Sequence, residues 1–155
     1  MRGRAALALP VLLVALLPAA CADPVPHAEV SVRLAEYSLH LSPGRSDEGA
    51  VRLFVDNTGR LKHSLVFVRA ERREDLPLKA DGSVDLAKAQ VADQLQPVSP
   101  GHYRIAPDLF PGRLIVFCNL VTKGPDGQPL SHFQRGMWAP LEIRPTSSAA
   151  TTPTR

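Results

Sequence analysis

The chain has 155 residues, 45% of them hydrophobic, with 18 Lys and Arg against 15 Asp and Glu and only two cysteines. Once its terminal segments are set aside, about 120 residues remain, enough for one domain with one real core and not for two. No block of Lys and Arg interleaved with aromatics occurs, which argues against nucleic acid as a partner.

Arg2 and Arg4 open the chain, and Ala5–Ala20 follows without a charge, dominated by Leu, Val and Ala. That run is shorter than the roughly 20 residues needed to span a bilayer. Small residues at Ala19, Ala20 and Ala22 precede Asp23-Pro24. Residues 1–22 therefore read as a secretory signal peptide. Cleavage after Ala20 is the alternative and would leave Cys21 as a lipid-bearing N-terminus, although Pro18 fits that motif poorly. The expected location is outside the cytoplasm, periplasmic or extracellular, with membrane association only if Cys21 carries lipid. The signal holds two of the 18 basic residues and none of the 15 acids, so the mature chain carries about +1. Strong electrostatic steering is not expected of it.

Residues 29–41, EVSVRLAEYSLHL, alternate in two phases: Val30, Val32 and Leu34, then Tyr37, Leu39 and Leu41. The shift predicts two strands, or one strand bulged near Ala35-Glu36. SPGRSDEG reads as a turn-rich connection. Val51–Asp56 and Lys62–Arg69 are further strands. In the latter, His63, Leu65 and Phe67 share one face while Val66 and Val68 lie on the other, as in a strand covered on both sides. Residues 70–97 break this rhythm, and VDLAKAQVADQL predicts a short helix from Ser83 or Asp85. Strands resume at His102–Ala106, at Arg113–Cys118 and at Met137–Arg144. Leu114, Val116 and Cys118 share a face, as do Met137, Ala139, Leu141 and Ile143. The tail 145–155, PTSSAATTPTR, reads as disordered. The expected fold is all-β, a Greek-key β-sandwich over 27–144 with one short helix in an excursion.

Whatever becomes of Cys21, this domain holds one cysteine, Cys118, which excludes an internal disulfide. An unpaired thiol in an oxidising compartment calls for burial, reactivity or a metal. Taken singly, Cys118 is a buried thiol, His63 an edge histidine, His132 a loop residue and Met137 a core methionine. Taken together they are a thiolate, two imidazoles and a thioether at strand ends. Thirteen residues separate Cys118 from His132 and four separate His132 from Met137. Two histidines, a cysteine and a weak methionine are the donor set of blue-copper sites. Zinc prefers a fourth strong ligand, one cysteine cannot hold an iron–sulfur cluster, and no nucleophile context surrounds Cys118. His27, His40 and His102 read as surface residues.

Three stretches, NTGRLKHSLVF around His63, PGRLIVFCN around Cys118 and HFQRGM from His132 to Met137, resemble the cupredoxins. The likeness is to plastocyanin/azurin-like and sulfocyanin-like members and runs over about 29–144. It implies a Greek-key sandwich with one mononuclear type 1 copper ion, with His63, Cys118 and His132 as equatorial ligands and Met137 as the axial one. Two departures from the family pattern stand out. Thirteen residues lie between Cys118 and His132 where other members have a few, and Ser64 stands where many have asparagine. Ser64 and Asn119 are the expected bracing residues behind the ligands. The resemblance also implies electron passage at the edge of His132, with Leu130, Phe133 and Trp138 as an apolar docking rim for a transient redox partner. The expected function is a monomeric, secreted one-electron carrier and not an enzyme. The competing readings are a copper-delivery or resistance protein, whose 119–131 loop opens, and a metal-free interaction module.

Overall fold

The computed structural model describes residues 29–47 and 51–145. The segment expected to be a signal peptide, Cys21, His27 and the tail beyond Pro145 lie outside the described residues. Among those residues, no helix is long and apolar enough to cross a membrane.

The phase shift at Ala35-Glu36 is a hairpin. β1 (Glu29–Ala35) and β2 (Ser38–Ser42) pair antiparallel, with Ala35 opposite Ser38. β4 (Arg52–Asn57) lies parallel to β1 and antiparallel to β7 (Gly101–Ile105), giving a four-stranded sheet in the order β2-β1-β4-β7. The second sheet has five strands. β8 (Gly112–Phe117) is flanked by β5 (His63–Arg69) and β11 (Trp138–Arg144), and β6 (Val91–Val98) and β3 (Arg45–Asp47) form its two edges. β9 (Val121–Lys123) and β10 (Pro129–Ser131) make a separate hairpin.

Alternation places the main core between the sheets. Val30, Val32, Leu34, Leu53 and Val55 face Leu65, Phe67, Leu114, Val116, Leu141 and Ile143, and all are buried. The opposite faces of β5 and β8 carry Val66, Val68, Ile115 and Phe117, and these pack on Leu76, Val84 and Phe133 in a second core. Burial on both faces explains the unbroken apolar run of both strands.

Two expectations are corrected here. The helix expected from Ser83 or Asp85 does not form. One turn closes at Asp85–Ala89, held by Ala89 N–H to the Asp85 carbonyl at 3.1 Å, and the chain then enters β6. The only helical element among the described residues is the three-residue 3-10 segment Arg73–Asp75. The reason is tertiary. Without β6 the free edge of buried β5 would leave backbone groups unpaired, and this outweighs a weak helical preference. Pro97 is tolerated because β6 is an edge strand. The SPGRSDEG connection also contains β3, which pairs parallel with β11 through Arg45, Ser46 and Asp47.

Phe117 joins the second core to the sheet at 5.1 Å from the Phe133 ring. Phe117→Ala should cost about 3–5 kcal/mol in denaturant unfolding. Amide exchange should quicken first in 76–89, the segment that covers this face.

Candidate metal centre

The antiparallel register of β5 on β8 brings one end of each strand together, with Val66 opposite Phe117 and Arg69 opposite Leu114. His63 begins β5, Cys118 follows β8 directly, and both point into the space between the sheets. Met137 immediately precedes β11, whose Trp138 lies opposite Phe117. The Cys118 N–H donates to the Met137 carbonyl at 3.0 Å. The Met137 N–H in turn donates to the His132 carbonyl at 3.0 Å, so a tight turn over 132–137 fixes both residues against Cys118.

The thirteen-residue spacer does not carry His132 away. Its ends zip together as β9 and β10, with Val121 opposite Ser131, and the His132 N–H donates to the Leu120 carbonyl at 2.9 Å. The base of this hairpin thus lies two residues from Cys118, and the extra length projects as a side branch. GPDG closes its tip, with Gly127 at φ 78° where a side chain would be strained.

One potential ligand atom each from His63, Cys118 and His132 falls within 4.8 Å of the others. Cys118 Sγ lies 3.9 Å from His63 Nδ1 and 3.4 Å from His132 Nδ1. An ion with bonds of about 2.3 Å to sulfur and about 2.0 Å to nitrogen, 120° apart, holds those atoms about 3.7 Å apart. The two distances bracket that value. His63, Cys118, His132 and Met137 are each 0% exposed. His63 Nε2 has no hydrogen-bond partner. Three buried donor groups with no carboxylate bonded to them among the described residues are what a cation would repay. The set fits one type 1 copper ion.

Burial pushes the Cys118 thiol up, while the Leu120 and Ser64 backbone N–H groups and the Ser64 hydroxyl pull it down. The Ser64 N–H reaches Sγ at 3.4 Å and its hydroxyl at 3.7 Å, and the same hydroxyl accepts from the Asn119 N–H at 3.1 Å. Burial also holds His63 below the usual imidazole range, helped by the charge of His132 and opposed by Glu36. His132 is lowered by burial, again against Glu36.

Asn119 braces a different segment. Its Oδ1 accepts from the Val84 N–H at 2.7 Å and its Nδ2 donates to the Val84 carbonyl at 3.1 Å. Ser131 Oγ donates to the Gly82 carbonyl at 2.8 Å. The 70–97 excursion therefore grips both ends of the spacer.

The three residues expected as a docking rim are not equally exposed. Phe133 is 1% exposed in the second core, under the Arg73 guanidinium, and does not border solvent around the site. Trp138 is half-buried below the same guanidinium, and Leu130 is half-buried in β10. The His132 ring meets the Tyr37 ring edge-on at 5.3 Å, and its Nε2 lies 3.4 Å from Thr122 Oγ1. Tyr37, at φ 61° in the β1–β2 turn, escaped the sequence reading because nothing in EYS distinguishes a lid over a ligand from an ordinary hairpin tip.

No family model matches the chain, and no curated protein matches it. Among solved structures it is similar to reduced rusticyanin, with a TM-score of 0.52 and 12% identity over 76% of this chain and 79% of that one. The fold is that of the cupredoxins. Auracyanin from Roseiflexus castenholzii, reduced with dithionite, superposes at a TM-score of 0.49 with 16% identity over 77% of this chain and 97% of that one.

The pKa directions set the pH dependence of the metal-free protein. Unfolding lets both imidazoles take up protons below about pH 6.5, so stability falls on acidification from there. Unfolding also lets the thiol ionise above about pH 8.5, so stability falls again on the alkaline side. Urea midpoints of the apo domain should therefore be highest between these limits, and a midpoint flat from pH 5 to 10 would contradict the burial of neutral groups.

Proposed function

We propose that the chain is an exported one-electron carrier built on a single type 1 copper ion. His63, Cys118, His132 and Met137 would hold the ion. The observation that carries this reading is the convergence of three fully buried donor atoms within 4.8 Å of one another. Copper supplies the one-electron couple between Cu(II) and Cu(I).

The protein's own residues supply the rest. Backbone pairing of Cys118 with Met137 and of Met137 with His132 fixes the donors relative to each other. Such fixing keeps rearrangement small between oxidation states, which a fast carrier requires. The N–H groups of Ser64 and Leu120 and the Ser64 hydroxyl draw electron density from the sulfur and tune the potential. Full burial of all four side chains excludes water and substrate from the centre. This weighs against an enzyme, which needs an open position. It also weighs against the delivery reading, because the spacer expected to open is zipped on itself and tied to Gly82. The signal-like N-terminus supports export.

Copper(II) added to the purified mature protein should bind at one equivalent with an intense visible band from thiolate-to-copper charge transfer. Cys118→Ser should abolish the band, and a colourless complex in the parent protein would sink the carrier reading. Ser64→Ala should keep the colour but lower the reduction potential by on the order of 20–60 mV, the electrical equivalent of one hydrogen bond. Ready loss of copper to a chelator upon reduction would favour delivery instead.

A further inference from the structure

The end of the sandwich that covers the centre has a surface of its own, distinct from the rim expected around His132. Three segments meet there. The β1–β2 turn supplies Glu36 and Tyr37. Glu36 Oε1 accepts from the backbone N–H groups of Arg60 and Leu61, which draws in the loop before His63. The Arg135 guanidinium lies 5.2 Å from the centre of the Tyr37 ring, and a Cβ on Gly136 would meet the Tyr37 carbonyl at 3.8 Å. That links the turn to the segment between His132 and Met137.

The exposed groups on this end are chemically biased. Tyr37 is half-exposed with its ring against His132, and Leu61, held to the same turn through Glu36, is 36% exposed. Arg60, Lys62 and Arg135 are exposed around them. The acidic residue of the turn, Glu36, is engaged by the backbone N–H groups of Arg60 and Leu61 and held below the usual carboxylate range by them. A mature chain of nearly zero net charge thus concentrates positive charge next to its buried centre. His132 has no exposed surface, so a partner approaching this end meets Tyr37 first.

We propose that Tyr37 and Leu61, ringed by Arg60, Lys62 and Arg135, form a docking surface for a redox partner protein that presents an acidic patch. Tyr37, and not the edge of His132, is the point of contact. Charge complementarity is the argument. Small interfaces of this kind are oriented and accelerated by opposite charge more than they are held by it, and they weaken as salt rises. The identity of the partner as a redox protein rests on the carrier reading above, whereas the acidic character of what docks here does not.

The test uses the full mature chain, isotope-labelled, both copper-free and loaded with Cu(I), with the paramagnetic trianion hexacyanochromate(III) as the probe of acidic contacts. Amide signals of 36–37, 60–62 and 134–136 should broaden selectively in both forms, and the effect should fade with added salt. The pair Arg60→Glu and Lys62→Glu should lose most of this broadening while keeping the parent's amide spectrum elsewhere. Arg104→Glu, on the outer face of the four-stranded sheet, should leave it intact. Broadening centred instead on Arg33 and Arg104, or spread evenly over the surface, would overturn the proposal, as would persistence in the Arg60/Lys62 variant. Because the map is read on copper-free protein as well, a colourless copper complex would remove the carrier reading without moving this result.

Discussion

A thiol and two imidazoles buried together with no carboxylate bonded to them are the constraint on which this structure turns. Each would be better solvated outside, and burial pushes each toward its neutral form. A fold that holds such groups in place must fix them by other means. The pairing of β5 with β8 does most of this, because one register decides where His63 and Cys118 stand relative to each other. The pairing of β11 with β8 does the same for Met137.

Around that frame the protein adds bracing that serves both stability and tuning. The excursion between β5 and β6 covers the outer face of the five-stranded sheet with Leu76 and Val84. Through Val84 and Gly82 it also grips Asn119 and Ser131, the residues that begin and end the spacer between two ligands. One segment therefore completes a core and holds a loop. Asn119 makes two bonds to one residue's backbone, as a strand neighbour would, and so limits both sliding and rotation of the chain just after the cysteine. Ser64 links the two sides by accepting from Asn119 and donating toward Cys118.

Much of this was legible in the sequence, for physical reasons that differ by element. Core faces were readable because alternation on Val30, Val32 and Leu34, on Leu114, Val116 and Cys118, and on Met137, Ala139, Leu141 and Ile143 maps directly onto burial. The donor set was readable because a lone cysteine, two histidines and a methionine recur at strand boundaries. The strand at Val91–Val98 was not, since its sequence suits a helix and only the free edge of β5 makes it a strand. The hairpin inside the spacer was hidden for a similar reason: three-residue strands carry almost no periodicity. Phe133 was expected in an apolar rim at the His132 edge, and the turn after His132 swings it to the opposite side of the sheet, onto Phe117. Tyr37 was unreadable as a lid, since its role depends on a φ of 61° and on where a distant loop brings His132.

The sealed centre gives the account its sharpest consequence. A donor set fixed by backbone pairing at all three of its chain segments should present the same neighbours to the metal in either oxidation state. X-ray absorption at the copper edge, recorded on the Cu(II) and Cu(I) forms of the mature protein, measures this directly. One short sulfur and two nitrogen neighbours are expected in both forms, with little change in distance between them. A shell of nitrogen and oxygen alone, or loss of a histidine on reduction, would contradict it.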